Sequence, residues 1–424
     1  MRVPSVSQRI QHAVLKNYLG SDAFNGTTLH DLAHQLEASE SLVTESVRRL
    51  VARGALTAIF GDVHPNSAIK AFPEESRDTQ VEKFGSQKRK YMSVYPTRRQ
   101  LRKHVNESDF VGRPFSFRLA RGEPQLKFLA FDPAVLEIYR NDPRYIYRAP
   151  IVVGSTTISD EYYRSRAMPK HDQIVLKSFG LCFQARTHQH AIAAFLYDLS
   201  RLSAEHQNWW QKAALRGAYK IHPGYWDWAC GYFPAGISVL EAITSELALI
   251  NKCADVMRRP PLFRNEFEET PPDYGWLLRP TRREFDAFVH LLDKMLGENI
   301  NEKFFRKDVS AETLEQRRHG IAIAKRKWKP RMLQEWFELK YTGSEKPWTD
   351  AIATFREVRD LRNEPAHTAS ANVYDKRLLQ RQREVVWAAY QALRDIRAIF
   401  GTYSGTELVK LPRWLDHGFP IWQR

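Results

Sequence analysis

The run WTDAIATFREVRDLRNEPAH, Trp348 to His367, decides how the C-terminal half of the chain is read. Residues 348–361 form an amphipathic stretch with helical spacing, and Arg362-Asn363-Glu364-Pro365-Ala366-His367 closes it. Pro365 removes a backbone donor and crowds the carbonyl of Leu361, so the helix is expected to end or kink near Arg362-Asn363. A regular helix would put residues five apart on different faces. A broken end is expected to let Arg362 and His367 converge on one cleft.

Those side chains suit metal-free cleavage of RNA, in which the 2′-hydroxyl attacks the adjacent phosphate. A neutral His367 can take the hydroxyl proton, because an unperturbed imidazole titrates near pH 6.5. Arg362 offers a fixed charge and a planar fork for the phosphorane oxygens. Asn363 can orient the histidine or the phosphate. One imidazole does not easily serve as base and acid in the same turn.

The pattern Arg-Asn-x-x-x-His, at a helix end between the penultimate and final helices, resembles the signature of HEPN ribonucleases. The match covers residues 280–401. The resemblance implies a homodimer in which two motifs share a cleft, one histidine taking a proton while its symmetry mate gives one. It further implies a metal-independent endoribonuclease with no cofactor, in a superfamily that often serves as toxins or antiviral defence effectors. Ala369 stands where many nucleotidyltransferase-paired relatives carry tyrosine, so modification there is not supported. The plainer alternatives are a surface Arg-Asn turn beside a capping histidine, or an inactive HEPN bundle that dimerises or binds a nucleotide in a DNA-binding regulator.

Around the motif the chain reads as helical, with helices expected from 280 or 281, then near 311–326, 332–341, 348–361 and 374–400. Four or five antiparallel helices make a bundle. It holds the densest basic cluster: Arg317, Arg318, Lys325, Arg326, Lys327, Lys329 and Arg331, with Trp328 inside it. One-signed charge with an interleaved aromatic is the pattern of a single-strand binding groove, although a charge run is more often a solvated face. Glu338-Leu339-Lys340 offers the acid-x-lysine fragment of metal-dependent nucleases, but its flanks look helical and no acidic partner is well spaced.

Residues 7–18, 29–36 and a run from Ser39 or Ser41 read as three helices, Gly54 as a stop, and 55–60 and 68–72 as two strands. This order resembles a winged helix-turn-helix domain. The resemblance implies a recognition helix with Ser41, Thr44, Glu45 and Arg48 toward a major groove, Arg48 and Arg49 being candidate contacts to duplex DNA. Use only as a dimerisation or protein-contact module is the alternative. Residues 73–104 read as a basic linker in which Tyr91 and Tyr95 are available for stacking.

The middle is the least legible part. Strands are expected at 114–119, 125–131, 145–153 and 173–183, helices at 190–215 and 237–257, and an aromatic loop at 225–234. Buried core is the commoner fate of such aromatics. Cys182, Cys230 and Cys253 lack metal-ligand spacing and fit core positions in a reducing compartment; no metal is expected.

The expected fold class is mainly α with a smaller β component. The expected map is a winged helix (1–75), a basic linker (76–105), an α+β sensing region (106–265), a HEPN-like bundle (280–403) and a tail (404–424). A net charge of +15 points to an anionic partner, nucleic acid first; RNA is the expected substrate, with duplex DNA a further candidate through the winged helix. No stretch is apolar enough to span a bilayer, and a cytoplasmic, membrane-free protein is expected.

Overall fold

The computed structural model describes residues 4–61, 66–70, 75–86, 91–165, 168–232, 236–316, 322–367 and 371–423; for 314–316, 322–323 and 365–367 only the backbone is described. It is mainly helical, about 51% helix and 15% strand. The chain divides into two compact units, Met1–Pro234 and Ala235–Arg424.

In the first unit, hydroxyl caps start each of the leading helices. Ser5 forms a capping box with Gln8 on Val6–Gly20, Thr28 accepts from the Asp31 amide on Leu29–Leu36, and Ser39 from the Leu42 amide on Glu40–Ala52. Val43, Val47, Leu50 and Val51 bury one face of the third helix against Ile10, Val14 and Leu32. Gly54 ends that helix at φ +66°, with the Gly54 and Ala55 amides returning to the Val51 and Leu50 carbonyls, both at 2.8 Å.

The strand Leu56–Ile59 pairs with Ser93–Pro96; of the expected partner strand 68–72, residues 68–70 are not a strand and 71–72 lie outside the described residues. Ser93–Pro96 is the central strand of three, with Thr27–Thr28 on its other edge. The described part of the expected linker thus holds two helices, Arg77–Lys83 and Arg98–His104, and this strand. Tyr95 is 1% exposed and donates its hydroxyl to the Ala68 carbonyl, so it is not available for stacking, whereas Tyr91 is exposed.

A six-stranded antiparallel sheet follows, running Phe128–Phe131, His190–Phe195, Val175–Gln184, Val153–Ile158, Tyr145–Arg148, with Tyr219–Ile221 added to Val175–Gln184. Residues 190–195, expected as helix, are a strand whose Ala191 to Phe195 are all buried. A strand covered on both faces loses the alternation that would have marked it. Residues 114–119, expected as strand, are the helix Pro114–Ala120, which begins on proline and buries Phe115, Ser116, Leu119 and Ala120. The aromatic loop is in part the helix Pro223–Ala229, with Tyr225 wholly buried.

Beneath this sheet Ser178 donates to Asp198 at 2.7 Å and lies 3.0 Å from the Tyr225 hydroxyl. Burial pushes Asp198 up to about 6, against the opposing pull of Ser178 and Arg201. A folded-state value above the unfolded one means stability fully present below about pH 4 and lost as pH rises through 6. Asp198→Asn is thus expected to stabilise the protein by about 2 kcal/mol at pH 8 and by little at pH 4. Urea midpoints at the two pH values check this; equal gains at both would exclude the buried carboxylate as the cause.

The second unit contains Val239–Val256, Arg282–Met295, Lys329–Lys340, Lys346–His367 and Arg377–Phe400. Its aromatic centre places Phe304 5.1 Å from Trp336 and 5.7 Å from Phe400. Residues 311–326, expected as helix, contain the hairpin Glu312–Gln316 with Ala322–Arg326. Glu312 faces Arg326 across it, and the sequence between contains Gly320, which helical reading overlooked. The tail is structured too: Ile421–Trp422 pairs parallel to Ile237–Ser238, and Trp414 is buried. Among the described residues no helix is long and apolar enough to cross a membrane.

Candidate nucleic-acid cleft

The helix Lys346–His367 runs through Pro365 without the expected break. An interior proline costs about 3 kcal/mol, so the surrounding contacts must hold the last turn in place. Two ion pairs tie residues just before Pro365 to Arg282–Met295. Arg362 Nη1 lies 2.6 Å from Asp293 Oδ2, and Arg282 donates to Glu364 at 2.8 Å. The following segment is pinned to the start of the same helix, with the Arg282 amide on the Val373 carbonyl at 2.9 Å.

This continuity removes the bend on which the expected convergence rested. At about 100° per residue, Arg362 and His367 leave the helix axis roughly 140° apart. The side chain of His367 lies outside the described residues, as does Ala369. Asn363 is half-buried.

Arg362 also bonds Glu298, so its guanidinium sits between two carboxylates. Both bonds push its pKa up, and its charge is permanent. Burial raises Asp293 despite Arg362. Burial also works on Glu298, but there Arg362, with Lys329 and His290 adding charge, brings the carboxyl below its usual range. His290 is exposed and stands one turn before Asp293 on the same helix. No sequence motif marks it, since its place depends on how Arg282–Met295 docks against Lys346–His367.

Glu298 also lines a cleft of about 560 Å³. Among the described residues six cations face it, Arg264, Lys303, Arg306, Arg326, Lys327 and Lys329, against the carboxylates Glu298 and Glu302. Arg326, Lys327 and Lys329 belong to the cluster expected from sequence; Arg264, Lys303 and Arg306 come from two other segments and were missed. Arg326 pairs with Glu302 at 2.5 Å and Lys327 with Glu335 at 2.7 Å. Lys303 and Arg306 are exposed and make no ion pair among the described residues. Lys329 donates to the Glu298 carbonyl at 2.5 Å, and burial together with the nearby Arg264 charge lowers its pKa. Crowded cations of this kind are relieved by a bound anion. Trp328 lines the cleft with Arg359 5.2 Å over its ring, which ties the cleft to the helix of Arg362.

The remaining candidates lie elsewhere. Lys325 is exposed on the hairpin, Arg331 pairs with Glu335 at 3.2 Å, and Arg317 and Arg318 lie outside the described residues. Arg48 and Arg49 both bond Glu45 at 2.8 Å and hold its carboxyl down to about 2. Lys340, of the acid-x-lysine fragment, ends a helix and pairs with Asp308 at 2.9 Å. Cys182 is a buried strand residue whose thiol burial pushes up to about 12.

No family model matches the chain, and neither the curated proteins nor the solved structures contain a match.

Proposed function

We propose that the chain is a metal-independent endoribonuclease in which the helix Lys346–His367 supplies the reacting groups and the neighbouring basic cleft holds the RNA backbone. The supporting observation is that six cations from three segments line one cleft, and that this cleft shares Glu298 with Arg362. A cleft with this charge excess suits a polyanion, and Trp328 gives an unpaired base a surface to stack on. Arg362, fixed between Asp293 and Glu298, is the proposed anchored positive charge, tied to the cleft through Glu298. His367 is the proposed base, and the divergence of the two residues along the helix favours a homodimer in which each phosphate meets groups of both copies. A toxin or antiviral role rests on the HEPN resemblance alone.

A second reading has its own observation. The double pairing of Arg362 is what a structural strut would show, and a non-catalytic bundle would leave Glu40–Ala52 to address duplex DNA in a regulator. Incubation with single-stranded RNA in EDTA separates the two. Cleavage leaving 2′,3′-cyclic phosphate ends is expected; intact RNA at every protein concentration, with tight binding to duplex DNA, would favour the regulator.

A further inference from the structure

A second cavity in the same unit, about 620 Å³, is formed where the end of Arg377–Phe400 meets residues 401–417 and the helix Val239–Val256. We propose that it binds a small organic monoanion, a carboxylate head on an apolar body, and that Arg397 takes the head.

The arginine is built for this. Its Nε donates to Glu246 Oε2 at 2.5 Å, and Glu246 is 0% exposed, so the guanidinium is held along one edge by a carboxylate sealed from solvent. The Arg397 side chain is only 18% exposed yet lines the cavity, and Nη1 and Nη2 have no hydrogen-bond partner among the described residues. A rigid fork with its free end in a cavity matches the two oxygens of a carboxylate. Leu249, Val409 and Leu411 supply apolar wall for the body. Cys253 is there as well, but burial raises its pKa and keeps it a thiol, so the wall is inert.

Charge selects the ligand. Arg397 is offset by Glu246, and Lys410 and Arg413 at the rim by Glu407 and Asp416. Balanced walls favour one negative charge over many, in contrast to the cleft beside Arg362. The volume lies within the ordinary range of about 300–1,000 Å³ for small-molecule sites. This inference is independent of the ribonuclease reading.

Titration calorimetry with benzoate and octanoate tests it, with benzyl alcohol as neutral control and ATP as polyanion. Saturable binding of either carboxylate is expected, with benzyl alcohol and ATP at least ten-fold weaker. Arg397→Lys keeps the charge opposite Glu246 and is expected to weaken binding at least ten-fold. Leu411→Glu places a repelling charge at an exposed rim position, should leave the fold intact, and should also weaken binding. Failure of both carboxylates to bind at millimolar concentration, benzyl alcohol or ATP binding as tightly, or unchanged affinity in both variants overturns the proposal.

Discussion

Arg362→Ala is expected to destabilise the second unit by about 3 kcal/mol before any effect on RNA is considered. The reason is Asp293, whose side chain is 2% exposed and whose bonded cation is Arg362. Removing the guanidinium leaves a carboxylate sealed from water, and breaking such a pair costs about 3–5 kcal/mol. The lower end applies because Arg362 is itself 30% exposed, and water reaches one side of the pair. Without its cation Asp293 can become neutral only by binding a proton. Burial already raises its pKa, so the variant should recover stability as pH falls toward the unfolded carboxylate value and lose it as pH rises. Arg362→Ala with Asp293→Asn should regain most of the loss, since an amide needs no counter-charge. Urea denaturation of the single and double variants at pH 5 and 8 is the measurement. If Arg362→Ala matches the parent at both pH values, the pair is not holding the helices together, and Pro365 must be accommodated some other way.

Much of the fold was open to sequence reasoning, and its failures share physical causes. The first helix was found from its apolar face, and those capped by Thr28, Ser39 and Thr281 from a hydroxyl cap as well, because both are local signals. The errors came where burial or partnering is not local. His190–Phe195 is covered on both faces and so does not alternate. Ser93–Pro96 finds its partners at residues 27–28 and 56–59, across a segment that looks like a basic linker. At the site, Arg326, Lys327 and Lys329 were legible as a charge run, whereas Arg264, Lys303 and Arg306 join them only through tertiary packing. Pro365 was the sharpest case. A break was expected from its local cost, whereas Lys346–His367 continues through it, and the ion pairs of Arg362 and Glu364 to Arg282–Met295 were invisible in the sequence.

Loss of His367 is the other large effect. A positioned base or acid contributes about 10²–10⁴ in rate, so His367→Ala is expected to lower metal-free RNA cleavage by about 10³-fold while RNA binding stays unchanged. Lys303→Ala with Arg306→Ala should do the converse: KM rises, kcat holds, and the salt dependence of binding becomes shallower by roughly 1.4 in slope for two lost phosphate contacts on a single strand. The separation of the two effects matters because both sets of residues would score as inactive in a single-concentration assay. The helix geometry adds a further discrimination. Because positions 362 and 367 are offset by roughly 140° around the helix axis, a site built within one copy would draw on another imidazole near Arg362, and His290 is an exposed histidine one turn from Asp293. If cleavage uses two copies, His290→Ala should leave kcat within about two-fold, and dilution below the dimer constant should abolish activity. If His290→Ala removes activity while His367→Ala does not, the reacting groups belong to Arg282–Met295 and the Arg-Asn-x-x-x-His pattern is a coincidence of spacing. Steady-state rates for both variants across a hundred-fold range of protein concentration decide between them.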